Sequence, residues 1–303
     1  MPEREDTILV LSTNERIMSC IVGGEDDIMT ERWELSSPIP GVRIINTWQV
    51  YHLIWLALAQ DEAGRYLIYR SIDLQKYALV HNHSTEIYNL FWLDDGHVLF
   101  SAADGWWATT DTGLVWNRLN LWESSPAARN LTAVGLQEGS WTLVAYGQDH
   151  KIYTCAYQGG QWAEVFDSTA IHSGKWYPAM AGGSVAILAG AGNKLLRSLS
   201  AGAAGSWQII REVEGIIKSI VASNQSNRPT FLIVVESLDG SADRFYRSYD
   251  LGDTLVADMT RVDSVSSVAS ITPTGTPDMS TAFAVLGKRT ADTPPGYKLI
   301  QDA

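Results

Sequence analysis

The chain has 303 residues, of which 46% are hydrophobic and 18% are charged, so it can build a sizeable core and is not a disordered chain. It carries 22 Lys and Arg residues against 34 Asp and Glu residues, which gives a net charge of −12. A surface this acidic repels phosphate backbones, and it argues against nucleic acid and anionic membranes as partners.

We expect no targeting signal at the beginning of the chain. Residues 1–6 lack the apolar stretch of a secretory signal peptide. The uncharged residues 44–60 are too few for a membrane span and are interrupted by Asn46, Gln49 and His52, so they predict two consecutive buried strands. Cys20 and Cys155 lie on strands of different units, which predicts free thiols. We therefore expect a cytoplasmic protein, or one assembled into a virus particle, without direct insertion into a membrane.

Short β-branched and aromatic segments, separated by Gly, Asp and Asn, predict strands along the whole chain and no helix. The first unit has three predicted strands, at residues 7–12, 16–22 and 32–36. The fourth unit has four, at residues 131–136, 141–146, 151–157 and 161–166. The last unit again has three, at residues 265–272, 281–288 and 297–301.

One short pattern recurs between these strands. Its clearest copies run over residues 109–116 (TTDTGLVW) and 248–255 (SYDLGDTL), and looser copies begin at Ser71, Thr154 and Ser198. A carboxylate two residues after a hydroxyl residue can accept hydrogen bonds from the backbone of a turn, and a glycine supplies a position of positive φ. We therefore expect the pattern to be structural, with these residues bracing the turns: Ser71, Asp73, Thr109, Asp111, Gly113, Trp116, Trp162, Trp207, Ser248, Asp250 and Gly252.

This pattern resembles the Asp-box, or BNR, repeat, Ser/Thr-x-Asp-x-Gly-x-Thr-Trp. The resemblance implies a β-propeller such as those of sialidases, sortilin-type receptors, xyloglucan-active glycosidases and photosystem II assembly factors. In these families the box lies on the turn between the third and fourth strands of a blade, away from the ligand site. The resemblance implies a fold and is almost silent about activity.

The residues that open successive fourth strands are spaced by 44, 39, 46, 45 and 49 residues, and they are Trp33, Tyr77, Trp116, Trp162, Trp207 and Val256. This spacing is close to the repeat of a four-stranded propeller blade. We therefore predict one all-β domain, a seven-bladed β-propeller of four-stranded antiparallel blades whose N- and C-terminal units close the ring. The predicted blades cover residues 1–41, 42–84, 85–124, 125–168, 169–213, 214–262 and 263–303, and six blades remain the alternative.

The loops that connect one blade to the next, together with the loops between the second and third strands of a blade, form the usual ligand face of a propeller. On this layout the candidate residues for binding a ligand or partner are Trp122, Glu123, Arg129, His150, Asp167 and His172. An aromatic ring beside charged groups suits stacking on a sugar or anchoring a protein partner. His81 and His83, in a predicted loop over residues 80–86, could join His150 and His172 as metal ligands, but we expect solvated loop histidines instead.

The chain shows no phosphate-binding loop, dinucleotide motif, zinc-protease helix or nucleophile elbow. A sialidase would also need three arginines around its substrate, and most arginines here lie beside the repeated turns. We therefore expect no catalytic residues, metal or cofactor, and a non-enzymatic scaffold that docks a protein within a larger assembly, as an assembly factor or a virion component. The alternative is a propeller that binds or hydrolyses a glycan, with two carboxyl groups converging across a cleft.

Overall fold

The structure is a computed structural model that describes residues 7–12, 17–22, 33–51, 54–94, 96–119, 128–137, 140–157, 160–172, 174–182, 185–223, 230–240, 243–262, 264–271, 282–288 and 296–300. These residues form antiparallel strands joined by turns, and they include no helix. Nothing in the described part of the chain is therefore a helix with the length and apolarity needed to cross a membrane. The chain divides into two compact units, Met1–Ala127 and Ala128–Ala303.

The first unit contains three antiparallel sheets. Their strands are β1 (Thr7–Ser12), β2 (Ile17–Val22) and β3 (Trp33–Leu35); β4 (Val42–Tyr51), β5 (Ile54–Asp61), β6 (Tyr66–Ser71) and β7 (Ala78–His83); and β8 (Ile87–Asp94), β9 (His97–Ala102), β10 (Gly105–Thr109) and β11 (Asn117–Arg118). Within each sheet the strands pair in chain order. The first strands of successive sheets are neighbours, because β4 contacts both β1 and β8.

The second unit contains four antiparallel sheets with the same strand order. Their strands are β12 (Ala128–Gln137), β13 (Ser140–Gly147), β14 (Lys151–Ala156) and β15 (Ala163–Asp167); β16 (Ala179–Gly182), β17 (Ile187–Ala191), β18 (Lys194–Ser198) and β19 (Gln208–Glu212); β20 (Ile216–Ser223), β21 (Thr230–Glu236), β22 (Asp243–Ser248) and β23 (Val256–Val262); and β24 (Ser264–Ile271), β25 (Ala282–Lys288) and β26 (Gly296–Ile300). Here β12, β16, β20 and β24 contact one another in succession.

In the sheet formed by β16–β19 the core lies around the first three strands, and the fourth strand faces solvent. All five residues of β17 are buried, whereas four of the five residues of β19 are exposed. In β21 six of the seven residues are buried. A strand that is buried on both faces needs an almost continuous apolar sequence, which explains the uncharged stretches of this chain.

The described residues confirm the prediction of an all-β chain of antiparallel four-stranded sheets. Residues 44–60 form parts of β4 and β5, as predicted. The predicted loop over residues 80–86 is wrong in its first half, because β7 continues through His83. His83 pairs with Tyr66 of β6, so the ladder between β6 and β7 continues to the end of the strand.

The turn between β10 and β11 is organised by one carboxylate oxygen. Asp111 Oδ1 accepts hydrogen bonds from the backbone N–H groups of Leu114 and Val115, both at 3.0 Å. It also accepts the hydroxyl of Thr109 at 2.5 Å, and Thr109 Oγ1 accepts the N–H of Gly113 at 3.2 Å. The carboxylate and the hydroxyl thus satisfy the donors of a turn that has no strand partner.

Two other turns repeat this arrangement. Asp250 Oδ1 accepts the hydroxyl of Ser248 at 3.0 Å and the N–H of Thr254 at 2.8 Å, while Ser248 Oγ accepts the N–H of Gly252 at 2.7 Å. In the turn after β6, Asp73 Oδ1 accepts the hydroxyl of Ser71 and two backbone N–H groups that follow.

The turn between β18 and β19 has no aspartate and uses a serine in its place. Ser198 Oγ accepts the N–H of Gly202 at 3.0 Å and lies 2.7 Å from the hydroxyl of Ser206. A non-glycine residue with positive φ occurs at the same place in all four turns. These residues are Leu74, Thr112, Ala201 and Leu251, with φ of 59°, 60°, 50° and 60°.

Two buried tryptophans each donate a hydrogen bond to the repeated turn that precedes them. Trp116 and Trp207 are 8% and 6% exposed. Their indole N–H groups donate to the carbonyls of Gly113 at 3.0 Å and Gly202 at 3.1 Å. Trp162 occupies the same place before β15, but it is only half-buried and its turn lies partly outside the described residues.

The repeated turn also packs on the preceding sheet. A Cβ added to Gly113 would lie 2.8 Å from Leu56 Cδ2 in β5, and one added to Gly252 would lie 2.5 Å from Ile210 Cδ1 in β19. Both glycines have φ of 94°. Glycine is therefore favoured at these positions for two reasons. It adopts the positive φ without strain, and it lets a side chain of the preceding sheet approach the turn backbone closely.

An arginine of the preceding sheet binds the same turn from its other side. Arg70 donates to the carbonyl and the hydroxyl of Thr112, both at 3.2 Å. Arg197 donates to the carbonyl of Leu251 at 3.2 Å and to Asp253 Oδ1 at 2.8 Å. In both cases the acceptor carbonyl belongs to the residue with positive φ, so the guanidinium recognises the shape of the turn.

We expect Asp111→Ala to lower the free energy of unfolding by about 1–2 kcal/mol, because two turn N–H groups and the Thr109 hydroxyl lose their acceptor. Asp111→Asn keeps an acceptor oxygen and should cost less than half as much. Guanidinium unfolding curves of the two variants test this. Equal losses would contradict the role of the Oδ1 acceptor.

We expect Gly252→Ala to cost about 2–4 kcal/mol more than Gly174→Ala. The two glycines have φ of 94° and 87°, so both variants carry similar backbone strain. Only Gly252 has another sheet within 4 Å of the added methyl group. The difference between the two unfolding free energies therefore measures the packing of turn on sheet, and a difference near zero would refute it.

Candidate functional site

Half of the predicted binding residues come together at one end of the second unit. His150 lies in the turn between β13 and β14, Asp167 ends β15, and His172 follows in the connection to β16. Trp122 and Glu123 lie outside the described residues, and Arg129 lies on β12 with its side chain outside the description. The site is therefore built here from the β15–β16 connection, described at residues 168–172 and 174–178, and from its neighbours.

Two histidines and a tryptophan form a stack. His150 Nδ1 lies 2.9 Å from His172 Nε2, and the ring centroids are 4.8 Å apart at 24°. The ring of Trp176 lies 4.3 Å from that of His150 and is nearly parallel to that of His172, at 9°. All three side chains are half-buried.

The hydrogen bond between the two imidazoles favours one tautomer. His172 Nδ1 is buried and has no hydrogen-bond partner in the described part of the chain. A hydrogen on that nitrogen would be a buried and unsatisfied donor. The hydrogen of His172 is therefore assigned to Nε2, which donates to His150 Nδ1.

The backbone around His150 holds the beginning of the connection. The carbonyl of His150 accepts the N–H and the hydroxyl of Ser168. The hydroxyl of Tyr146 lies 2.8 Å from Ser168 Oγ and accepts the indole N–H of Trp176 at 3.3 Å. Gly192, in the turn between β17 and β18, approaches so closely that an added Cβ would lie 2.9 Å from His172 Cβ.

The end of the connection is held by the sheet formed by β20–β23, which contains Glu236. Lys175 Nζ donates to Glu236 Oε1 at 2.7 Å, and Tyr177 Oη donates to Glu236 Oε2 at 2.8 Å. The Lys175 ammonium also lies 5.2 Å from the centroid of the Tyr177 ring. Nearby in the same sheet, Lys218 Nζ lies 3.0 Å from the buried carboxylate of Asp243. The connection is thus anchored at its beginning on the sheet formed by β12–β15 and at its end on the sheet formed by β20–β23.

The charges of the site follow from these contacts. Burial lowers the pKa of His172, and the neighbouring His150 lowers it further. Burial opposes ionisation of Glu236, but the hydrogen bonds from Lys175 and Tyr177 hold its pKa below the usual value. The hydrogen bond to Glu236 is the main reason that the pKa of Lys175 is raised. At neutral pH His172 is uncharged, and Lys175 and Glu236 form an ion pair.

The two carboxylates beside His150 serve local structure. Asp167 Oδ1 accepts the N–H of Thr169 at 2.9 Å and its hydroxyl at 2.6 Å, and these bonds lower the pKa of Asp167. Asp149 accepts the hydroxyl of Tyr153. The carboxyl group of Asp167, held ionised by its bonds to Thr169, suits a cation or a hydrogen-bond donor and not a general acid.

The expectation of solvated loop histidines is wrong for His81 and His83. His83 is buried on β7, and its Nε2 lies 2.9 Å from Asp104 Oδ1 and 3.0 Å from Thr85 Oγ1. Burial lowers the pKa of His81 to about 4. The four histidines therefore form one pair in each unit. Among the described residues, no group of three or more His, Cys, Asp or Glu side chains has the arrangement of a metal site.

Sequence analysis did not single out Lys175, Tyr177, Lys218 or Glu236. Glu236 is 61 residues from Lys175 along the chain. No local pattern links the two, so only a correct alignment of the sheets could have paired them.

Comparison with known proteins addresses the fold. No protein-family model and no curated protein sequence matches this chain. The solved structure of YCF48 bound to a D1 peptide is similar, with a TM-score of 0.60 and 16% sequence identity over 95% of this chain and 92% of that chain. Regucalcin, a calcium-binding protein from Agrobacterium tumefaciens, has a TM-score of 0.48 and 14% identity over 78% of this chain and 80% of that chain. At 16% identity, the likeness to YCF48 shows a β-propeller fold and nothing more.

The lowered pKa of His172 predicts a dependence of stability on pH. The unfolded chain takes up a proton near pH 6.5, whereas folded His172 resists it, so the contribution is complete above pH 6.5 and is lost as the pH falls below it. His81 has the same sign. His172→Asn should reduce the loss of unfolding free energy between pH 7.5 and pH 5 by about 0.5 kcal/mol, after allowance for solvent screening.

Guanidinium unfolding of wild type and His172→Asn at several pH values measures this difference. His81→Asn, in the other unit, is the matched variant and should also flatten the pH profile. Parallel profiles for wild type and His172→Asn would show that the stack does not resist protonation.

Proposed function

We propose that this chain is a seven-bladed propeller of the Asp-box type, whose terminal sheets close the ring, and that it is a scaffold for docking a protein partner. The described residues form seven sheets, five of them four-stranded, and these support the blade count. The hydroxyl–carboxylate turns after Ser71, Thr109 and Ser248 support the Asp-box assignment. The bound D1 peptide in the similar YCF48 structure supports a protein partner.

The observation that carries this proposal is the double anchoring of the β15–β16 connection. Loops that bind partners gain affinity when they are ordered before binding, because less conformational freedom is lost on association. Here one end is fixed by the stack of His150, His172 and Trp176, and the other by the bonds of Lys175 and Tyr177 to Glu236. Lys175 remains 53% exposed, so the fixed connection still presents a charge to solvent.

We place the docking face on this connection and its neighbours. Arg129, His150, Asp167 and His172 belong to the proposed face, and Trp122 and Glu123 remain candidate residues from the sequence alone. A protein that offers a carboxylate to Lys175 and an apolar or aromatic group to the rings beside it would match this chemistry. The glycan alternative would use the same rings and is an outcome of the test below. The identity of the proteins captured in the experiment below distinguishes an assembly factor from a virion component.

We expect the double variant Lys175→Gln/Tyr177→Phe to bind the partner at least about tenfold more weakly, since the connection is released from Glu236 and loses its charge. The partner would be captured with the tagged protein from the source cells and its Kd measured with purified components. Leu199→Ser is the matched control, because Leu199 is 55% exposed in the turn between β18 and β19, at the opposite end of the same sheet.

If Leu199→Ser lost binding and the double variant did not, the partner would bind at the end of the sheet that carries the β18–β19 turn. That result would contradict the proposed docking face. The glycan alternative is tested with a panel of oligosaccharides, by tryptophan fluorescence and by release of reducing sugar. A saturable change in fluorescence, or sugar release, would replace the protein-docking proposal.

A further inference from the structure

His150 joins the β15–β16 connection through both its side chain and its backbone. Its Nδ1 lies 2.9 Å from His172 Nε2, and the two imidazoles share one hydrogen bond. Its carbonyl accepts the N–H and the hydroxyl of Ser168, which is fully buried. The beginning of the connection therefore depends on the position of a single histidine.

The number of hydrogens on the two rings is limited by their surroundings. Two neutral imidazoles carry two hydrogens, of which one lies in the shared bond and the other is on His150 Nε2. With the bond intact, a third hydrogen has only His172 Nδ1 left to occupy. That nitrogen is buried and has no hydrogen-bond partner in the described part of the chain. A third hydrogen is thus either a buried donor without an acceptor, which is costly, or it breaks the bond between the rings.

The neighbour of His172 on this side is the turn between β17 and β18. A Cβ added to Gly192 would lie 4.0 Å from His172 Nδ1. The carbonyl of Gly192 accepts the N–H of Ile217 at 2.8 Å and does not bond to the imidazole. The adjoining charged residue, Lys194, lies 3.2 Å from the carboxylate of Glu212. This turn therefore closes over His172 Nδ1 without offering it an acceptor.

Titratable groups face the pair from the other elements as well. Asp149 precedes His150 in its turn and accepts the hydroxyl of Tyr153. The Asp167 carboxylate is near enough that His150 contributes to its lowered pKa. Burial raises the pKa of Tyr146, so its hydroxyl is uncharged. The remaining charges are paired at 2.7 Å, Lys151 with Glu164 and Lys175 with Glu236.

These surroundings direct an added proton to His150. The centroid of the Trp176 ring lies 4.3 Å from that of His150, and an indole face stabilises a cation. The ionised Asp167 acts in the same direction. Once His150 Nδ1 carries a hydrogen, however, it faces the N–H of His172 as a second donor, and the bond between the rings is lost.

The backbone of His150 makes this loss consequential. His150 has φ of 66°, a left-handed conformation that is unfavourable for a residue with a side chain. The bond to His172 helps to hold it there, and the carbonyl that accepts Ser168 depends on the same conformation. Without the bond the backbone can relax, and Ser168 then loses its acceptor.

We propose that His150 and His172 form a proton-sensitive latch, which orders the β15–β16 connection while both rings are neutral and releases its beginning when the pair takes up a proton. The consequence for binding rests on the proposed function, because docking gains from an ordered connection. The latch is closed above about pH 6.5, the ordinary histidine range, and opens as the pH falls below it.

Hydrogen exchange at the Ser168 amide tests the latch on the full chain alone. Its protection factor, which corrects for the pH dependence of intrinsic exchange, should fall at least about tenfold between pH 7.5 and pH 5. The Ile217 amide, which donates to Gly192, is the internal reference and should keep its protection. His172→Phe keeps a flat ring beside Trp176 but takes up no proton, so Ser168 protection should be equal at both pH values. His81→Asn, in the other unit, should leave the fall unchanged.

Nitrogen NMR of histidine-labelled wild type tests the hydrogen count without any substitution. At pH 7.5 we expect hydrogens on Nε2 of both His150 and His172 and none on His172 Nδ1. At pH 5 the signature of the hydrogen bond between the rings should be lost.

Three results would overturn the latch: constant Ser168 protection in wild type, an equal fall in His172→Phe, or a hydrogen on His172 Nδ1 at pH 7.5. Because none of these measurements uses a partner, they are independent of the docking proposal. If Ser168 behaves as expected while Lys175→Gln/Tyr177→Phe binds the partner normally, the latch stands and the docking face is wrong.

Discussion

The contact on which the described sheets depend is the one between a repeated turn and the sheet before it. A four-stranded sheet with apolar residues on both faces cannot bury them alone, so each needs a neighbour. Gly113 against Leu56 and Gly252 against Ile210 show how closely the neighbours approach. Arg70 and Arg197 then bind the carbonyl of the residue with positive φ in the next turn. The turn is thus both the end of one sheet and a packing surface for another.

This constraint explains why the turns carry carboxylates whose Oδ1 atoms accept hydrogen bonds from the turn itself. Asp111 and Asp250 accept the hydrogen bonds that keep the glycine and the positive-φ residue in place. If the carboxylate moved, the turn would open and the neighbouring sheet would lose its packing. The turn after β18 forms without a carboxylate: the hydroxyl of Ser206 lies 2.7 Å from that of Ser198, and the N–H of Ala203 donates to the carbonyl of Ser200.

The same logic explains what sequence analysis could and could not predict. The turns, the strands and the uncharged stretches were predictable because their causes lie within about ten residues along the chain. The substitution of Ser206 for an aspartate was not visible, since its partner Ser198 is eight residues away instead of two. His81 and His83 were misplaced because their sequence is polar, whereas Asp104, 21 residues from His83, makes their burial possible. Trp122 and Glu123 remain predictions.

The candidate site depends on contacts between sheets at the end opposite the turns. Antiparallel strands in chain order place the repeated turns at one end of each sheet and the connections to the next sheet at the other. The connection after β15 carries contacts to Glu236 that span 61 and 59 residues, and its sequence is free of the turn pattern. Because the turns hold the sheets together, the connections can vary in sequence without loss of the fold. Function can therefore reside in the connections, while the aspartates of the turns maintain the scaffold that positions them.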